Sequence, residues 1–288
     1  MTPAPDTRPD YEDDRNFATA LARGLSVLRA FRTDDDGLSN AQIAERTGLP
    51  KSTVSRLTYT LGCLGYLTQP QRNDRYRPGP TLLAMGHVAA ASLAFLDSAQ
   101  GMMQALADQT GTLVLFAVRD RDKVALMRTW RPQRAASIWL EVGHRLPIAG
   151  SSSGLALLGA TTREEFAGLL ADHPEPPLDG GTLEDLRLEA RGQLIAKGYT
   201  VVRQGLRYSS NISAVSVPFR SARLAGPVMF SCGALDDVLP DDLATLADDL
   251  SGRLAALDAG EARMDGLILL RPLWLLALLP LAGLVLLR

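Results

Sequence analysis

The chain has 288 residues, of which 46% are hydrophobic, and its formal net charge at pH 7 is −2. This length and hydrophobic content can supply two domains, each with its own core. The two cysteines lie far apart in sequence and the three histidines lack metal-ligand spacing, so no disulfide framework, metal site or cofactor is predicted. Cys63 and Cys232 are instead expected to be buried thiols of a reduced cytoplasmic protein.

The N-terminal residues 1–16 are predicted to form a disordered leader. They contain three prolines and five acidic residues but few apolar ones, a composition that cannot bury enough surface to fold. They also lack the continuous apolar run of a secretory signal. Folded structure is therefore expected from about Phe17 onward.

Residues 39–66 predict two short helices joined by a tight turn. Ser39 and Gln42 have the spacing of a capping box at the start of the first helix. Gly48 can adopt the left-handed conformation that ends this helix, and Pro50 suits the first position of the next one. In the second helix, apolar residues at spacings of three and four predict a buried stripe of Val54, Leu57, Leu61 and Leu64.

The other face of the second helix carries short hydroxyl side chains and cations. Such a face suits insertion into the major groove of DNA, because hydroxyls can approach the bases and cations can meet phosphates. Thr58 is assigned to the same polar face. The candidate DNA-binding residues of this helix are Lys51, Ser52, Thr53, Ser55, Arg56 and Tyr59. An ordinary helical hairpin within a larger core is the open alternative.

Residues 67–78 predict a β-hairpin directly after these helices. Its Asn73-Asp74 turn is flanked by basic residues, namely Arg72, Arg75 and Arg77. A hairpin with cations at its tip is typical of a wing that contacts the DNA backbone or minor groove, although a solvated surface hairpin has the same composition. Residues 17–78 hold nine Lys or Arg and five Asp or Glu, a net charge of +4 within a chain of −2. This asymmetry is expected where one module binds a polyanion.

Several ordered blocks of the sequence resemble the IclR-type bacterial transcriptional regulators. The similar blocks are ALARGLSVLRAF (20–31), RYRPGPTLLAMG (75–86), VGHRLPIAGSSSGLALLGA (142–160), KGYTVVRQG (197–205) and ISAVSVPFRSARLAGPVMFSCG (212–233). The resemblance implies an α+β protein with a GAF-like α/β effector-binding domain. The implied segments are a winged helix-turn-helix at 17–78, a linker helix at 79–95 and the effector-binding domain at 96–260. The resemblance does not extend to the remaining segment, a hydrophobic tail at 261–288.

Beyond the hairpin, helices and largely antiparallel strands are predicted to alternate. Helices are expected at 81–94, 96–109, 152–160, 163–172, 183–197 and 241–257. Strands are expected at 112–118, 124–130, 137–142, 199–203, 212–217 and 227–231. The linker helix offers apolar candidates for dimer contacts, unless they pack on their own domain: Leu82, Leu83, Met85, Val88 and Leu93.

Residues 150–154, with the sequence GSSSG, admit two interpretations. They fit the G-x-S-x-G pattern of serine hydrolases, but the one downstream histidine, His173, is adjacent in sequence to the acidic residue Asp172. An enzyme is therefore not predicted. The favoured interpretation is a helix N-terminus whose N–H groups and hydroxyls hold an anion, and the resemblance implies that this segment lines the effector pocket.

The resemblance also supplies the remaining effector-binding candidates. Together with the helix N-terminus they are Ser151, Ser152, Ser153, Ser213, Ser231 and Cys232. Relatives commonly carry an acidic pair where this chain has Arg203 and Gln204, so Arg203 is added as a cation, with exposure to solvent as the alternative. A more cationic pocket predicts a small organic acid as the effector.

Residues 267–288 form an apolar tail, in which the sixteen residues 272–287 carry no charge. A membrane-spanning helix needs about 20 mostly apolar residues. Three interpretations stay open: an anchor on the inner face of the membrane, a buried or self-associating tail, and a stretch foreign to the ancestral gene.

These patterns predict a cytoplasmic, ligand-responsive regulator that binds a pseudo-palindromic operator in double-stranded DNA as a homodimer or tetramer. The alternative is a membrane-tethered, ligand-sensing interaction protein. A hydrolase is the least favoured of the three.

Overall fold

A computed structural model describes residues 16–69, 75–91, 93, 95–135, 137–172, 182–220, 224, 226–236 and 243–258. These residues form an N-terminal helical domain with a short hairpin and a C-terminal domain built on a five-stranded sheet. The predicted α+β class is confirmed. Nearly all of the leader, the hairpin turn with Arg72, His173 and the apolar tail lie outside the described residues.

The N-terminal domain comprises three helices and a two-stranded hairpin. The elements are α1 (Thr19–Arg29), α2 (Asn40–Thr47), α3 (Lys51–Cys63), β1 (Leu67–Thr68) and β2 (Arg77–Pro78). The strands pair antiparallel, and Leu38 adds a bridge to Tyr76 through two backbone hydrogen bonds of 2.8 Å. The core is formed by Val27, Ala30, Leu38, Ile43, Ala44, Leu49, Val54 and Leu67.

The turn between α2 and α3 forms as its sequence predicts. Ser39 Oγ lies 3.3 Å from the Gln42 amide nitrogen, and Gln42 Oε1 lies 3.0 Å from the Ser39 amide nitrogen, which completes the capping box. Gly48 ends α2 in the left-handed conformation, with φ of 70°. Pro50 precedes α3 as its N-cap, so the helix begins one residue later than predicted, at Lys51.

Three residue assignments in and directly after α3 were wrong. Thr58, assigned to the polar face, is fully buried, and its Oγ1 lies 3.0 Å from both Asn40 Oδ1 and the Val54 carbonyl oxygen, which share its one proton as acceptors. The reason is helical spacing, since Thr58 follows the buried Val54 by four residues and therefore shares its face. Leu64, assigned to the buried stripe, is 60% exposed because α3 ends at Cys63. Cys63 is likewise exposed, not buried as predicted.

The C-terminal domain begins after α4 (Pro80–Ala91) and contains five strands and five further helices among the described residues. In chain order these are α5 (Phe95–Thr110), β3 (Leu113–Asp120), β4 (Lys123–Trp130), β5 (Arg145–Pro147), α6 (Ser152–Ala160), α7 (Arg163–Asp172), α8 (Leu183–Lys197), β6 (Ile212–Phe219), β7 (Val228–Leu235) and α9 at 243–258. The strand order is β5-β4-β3-β7-β6, with every neighbouring pair antiparallel.

Helices cover both faces of this sheet. On one face, Phe116 of β3 and Phe230 of β7 pack with α5 and α9. On the other, Leu115 and Met229, their neighbours in sequence, pack with α6, α7 and α8. This alternation is the period of two expected for strands buried on both faces, and it gives a three-layer domain.

The predicted strand at 137–142 is absent from the described sheet. Its residues run without ladder partners, and β5 pairs with β4 in its place. The apolar run at 138–140 was interpreted as part of a strand, but here Ile138 and Leu140 line a cleft while Trp139 between them points into solvent. The predicted strand at 199–203 is reduced to one bridge, between Thr200 and Ser216.

An ion pair connects the two domains, since Arg29 of α1 contacts Asp120 at the end of β3. Asp120 also accepts from Arg145 Nε of β5 at 2.9 Å. Among the described helices, no single one has the length and hydropathy of a membrane span. Helices α4 and α5 meet these criteria only as a pair, and they are bent by 87° at their junction.

Helix α6 lies unusually close to the chain that precedes it. A Cβ atom at Gly154 would lie 2.0 Å from the Ile148 carbonyl oxygen, a separation that no side chain tolerates. Residue 154 must therefore lack a side chain if the first turn of α6 is to rest on Ile148.

Replacing Gly154 with alanine is expected to destabilise the C-terminal domain by about 3 kcal/mol, because the added carbon overlaps backbone atoms of Ile148. The matched control is Gly168→Ala in α7, where no atom lies within 4 Å of the added Cβ. There, alanine gains up to about 1 kcal/mol from helix propensity. Chemical denaturation followed by circular dichroism measures both variants. Equal free energies of unfolding would contradict the close contact.

Candidate functional site

The polar face of α3 is exposed at most of the positions predicted to bind DNA. Lys51, Ser52, Ser55, Arg56 and Tyr59 face solvent, with Tyr59 71% exposed, and Thr53 is half-buried. No carboxylate of the described residues forms an ion pair with Lys51 or Arg56. The helix therefore offers hydroxyls and uncompensated cations on one surface.

The hairpin arginines are less available than the helix cations. Arg75 Nη1 donates to the Gly37 carbonyl at 3.2 Å, and Arg77 Nη2 lies 2.8 Å from Asp36 Oδ1. The hydrogen bond from Arg77 lowers the pKa of Asp36, so this carboxylate stays charged and offsets part of the cation. Arg72, the third predicted hairpin contact, lies outside the described residues.

A second candidate site is a cleft between the sheet and the first turn of α6. Its cavity volume is about 50 Å³, and the empty space rises to about 560 Å³ when the open mouth is included. Of the residues predicted to bind an effector, the cleft brings together Ser151, Ser152, Ser153, Ser213 and Ser231. Apolar side chains complete its lining, among them Leu115, Ile138, Leu140, Leu146 and Ile212.

The base of the cleft holds a directed chain of serine hydroxyls. Ser216 Oγ donates to Ser152 Oγ at 2.8 Å. Because a hydroxyl has one proton, Ser231 must be the donor in its 2.6 Å contact with Ser216. By the same reasoning, Ser153 must be the donor in its 2.8 Å contact with Ser231. The chain therefore ends at Ser152, whose own proton is not used by these bonds.

The first turn of α6 is already capped from within the chain. Ser151 Oγ accepts from the Gly154 amide at 3.0 Å and donates to the Pro147 carbonyl. One of the N–H groups predicted to hold an anion is therefore occupied. The main polar group of this turn that can still donate to a ligand is therefore the hydroxyl of Ser152. Ser152 is also the serine at the nucleophile position of the G-x-S-x-G pattern.

The cleft contains a cation that the sequence reasoning missed, Arg207. Its side chain is 17% exposed, and Nη1 lies 2.9 and 3.1 Å from the two carboxylate oxygens of Asp236. Ser213 Oγ donates to the same carboxylate. Next to it, burial raises the pKa of Tyr208, so this lining residue keeps its phenolic proton at neutral pH. A signal was available in the polar stretch RYSSN between two predicted strands.

Two predicted effector residues lie away from the cleft. Arg203 is 68% exposed and pairs with Glu189 at 3.0 Å, on the wall of a neighbouring pocket. Cys232 points to the opposite face of the sheet, because it alternates with the cleft residue Ser231 along β7. Burial raises the pKa of the Cys232 thiol to about 12, so it remains protonated among apolar side chains.

Comparison with known proteins follows the same two-domain division. The family model described as the IclR helix-turn-helix domain matches residues 20–71, and the model for the C-terminal part of the bacterial transcriptional regulator IclR matches residues 87–225. The Pca regulon regulatory protein of Pseudomonas putida is 32% identical over 215 residues, which cover 74% of this chain and 72% of that protein.

Solved structures agree with this division. An IclR family transcriptional regulator from Brucella abortus is 32% identical and has a TM-score of 0.69, covering 91% of this chain and 99% of its own. An IclR homolog from Microbacterium hydrocarbonoxydans, complexed with 4-hydroxybenzoate, has a TM-score of 0.66 at 23% identity, covering 85% and 99%. The second likeness supports the fold alone. Both domains match the family models, and the Pseudomonas putida relative is 32% identical over the 215 aligned residues. We conclude that the chain belongs to the IclR family of bacterial transcriptional regulators.

Proposed function

We propose that this family member is a homodimer that binds a pseudo-palindromic operator and responds to a small organic acid. The observation that carries the DNA-binding part is the exposed set of cations and hydroxyls on α3, whose cations form no ion pair with a carboxylate of the described residues. The effector part depends on the cleft that joins Arg207 to the terminal hydroxyl of Ser152.

The DNA contacts are proposed to divide between two elements. Helix α3 would enter the major groove, where Ser52, Thr53, Ser55 and Arg56 approach base edges. Lys51 and the hairpin arginines would meet phosphates and supply affinity that does not depend on sequence. The arrangement of exposed donors on a single helix face supports this division.

Helix α4 supports the dimer. None of its residues is buried, and Leu83, Met85 and Val88 are exposed. Leu93, also a predicted dimer contact, packs on the core of its own domain instead. A helix that leaves its apolar side chains in solvent is stabilised when a second copy covers them, which would place two α3 helices on two half-sites.

A carboxylate effector is supported by the donors that meet in the cleft. Arg207 carries further N–H donors beyond the Nη1 group bound to Asp236. The serine chain polarises the Ser152 hydroxyl as its final donor, and Tyr208 retains its phenolic proton. Apolar walls suit a ring. The Microbacterium homolog holds 4-hydroxybenzoate, an acid of this kind.

Replacing Arg56 with alanine should weaken binding to the operator about tenfold to a hundredfold and lower discrimination, because a base contact is worth ~1–3 kcal/mol. Arg75→Ala, at the hairpin, should weaken binding to all duplexes about equally. Fluorescence anisotropy with a duplex selected by the natural protein and a scrambled duplex measures both effects. Identical losses on the two duplexes for Arg56→Ala would refute its base-reading role.

Replacing Arg207 with glutamine should reduce affinity for benzoate and 4-hydroxybenzoate at least about tenfold, because a charge-assisted hydrogen bond is lost. Arg203→Gln is the matched control, since this exposed arginine pairs with Glu189 outside the cleft. Calorimetry with each acid and with uncharged benzamide provides the measurement. If the natural chain binds the amide as tightly as the acid, the carboxylate proposal is wrong.

The alternative function is that of a membrane-tethered interaction protein, and the observation in its favour is the apolar composition of the tail. The tail lies outside the described residues. Cell fractionation of the full chain beside a version ending at Ala262 tests the anchor, which predicts release of the shortened protein from the membrane fraction. Equal recovery in the soluble fraction removes the anchor, and a gel shift with upstream DNA then separates the two functions.

A further inference from the structure

The segment 137–142 forms one wall of the cleft without belonging to the sheet. Ile138 and Leu140 line the cleft, while Trp139 between them points outward and is 76% exposed. The segment has no strand partner among the described residues. Its position therefore has to be fixed by something other than ladder hydrogen bonds.

A single guanidinium group supplies the missing bonds. Arg131 Nη1 donates to the Ile138 carbonyl at 2.8 Å, and Nη2 donates to the Leu140 carbonyl at 2.6 Å. The Arg131 guanidinium carbon also lies 4.4 Å from the ring centre of Trp139, within the range of a cation–π contact. One planar group thus holds three successive residues of the wall.

Arg131 is itself fixed to the body of the domain. Its backbone carbonyl accepts from Gln104 Nε2 of α5 at 2.7 Å. The preceding residue, Trp130, is buried and donates through its indole nitrogen to Gln100 Oε1, also of α5, at 2.8 Å. Within the described residues no carboxylate pairs with Arg131, so its charge acts on the wall carbonyls.

We propose that Arg131 is a positioning residue that limits the size of the effector. This proposal rests on the proposed role of the cleft as the effector site. By holding the backbone of 138 and 140, it fixes how far Ile138 and Leu140 project into the cleft that Leu115 and Leu146 also line. The cleft then accepts a single-ring acid and rejects a broader one. Arg131 does not touch the effector; it acts through the two apolar side chains.

The test compares a one-ring and a two-ring acid on the full chain. Calorimetry with benzoate and 2-naphthoate is carried out on the natural protein, Arg131→Gln and Arg131→Lys. Arg128→Gln is the matched control, because Arg128 lies on β4, which ends directly before Arg131, and pairs at the surface with Asp97. We expect Arg131→Gln to shift the benzoate-to-naphthoate affinity ratio at least about tenfold toward naphthoate. The control should leave this ratio unchanged, and Arg131→Lys, which cannot span both carbonyls, should resemble Arg131→Gln.

If Arg131→Gln lowers the affinities for benzoate and 2-naphthoate by the same factor, Arg131 has a general structural role and the proposal is overturned. Hydrogen exchange without ligand provides the second measurement. Amides of 137–142 should exchange faster in Arg131→Gln than in the natural chain and the control, and unchanged exchange also overturns the proposal. If the natural chain binds neither acid while exchange does accelerate, the acid-effector function fails and the wall-holding contact stands, which separates the two results.

Discussion

The contact between the first turn of α6 and the sheet is the constraint on which the C-terminal domain depends. It combines a backbone approach that only a glycine at 154 permits with hydroxyl bonds from α6 to β6 and β7. These hydroxyl bonds fix the first turn of α6 and leave polar groups beside the cleft. The residues that hold this turn in place therefore also line the proposed effector site.

The two domains divide the work of a regulator between different kinds of surface. The N-terminal domain presents charge and hydroxyls outward on α3, where a large polyanion can reach them. The C-terminal domain turns its polar groups inward, into the cleft proposed to bind the effector. In the proposed dimer, an effector that binds two conformations unequally would shift DNA occupancy by a coupling free energy of typically ~1–3 kcal/mol. The ion pair of Arg29 with Asp120 joins the domains physically.

Structure that depends on neighbouring residues was predicted well from the sequence, whereas contacts between residues far apart in the chain were not. The capping pair of Ser39 and Gln42 and the bounds of α6, α7 and α8 depend on neighbours along the chain, and they agree with the structure. The segment 137–142 was predicted as a strand, but it pairs with no strand of the described sheet. Its backbone is held instead by the contacts of Arg131 with the carbonyls of Ile138 and Leu140. Arg207 was missed for the same reason, because its partner Asp236 is 29 residues away.

The pairing of arginines in the N-terminal domain bears on which cations contribute to binding DNA of any sequence. Arg46 is held by Asp35, whose pKa the hydrogen bond from Arg46 lowers, and Arg29 is held by Asp120. Affinity for random DNA scales with the number of counterions that unpaired cations displace. Arg46 and Arg29 are therefore expected to displace fewer counterions than Lys51 and Arg56 of α3, which form no ion pair with a carboxylate of the described residues.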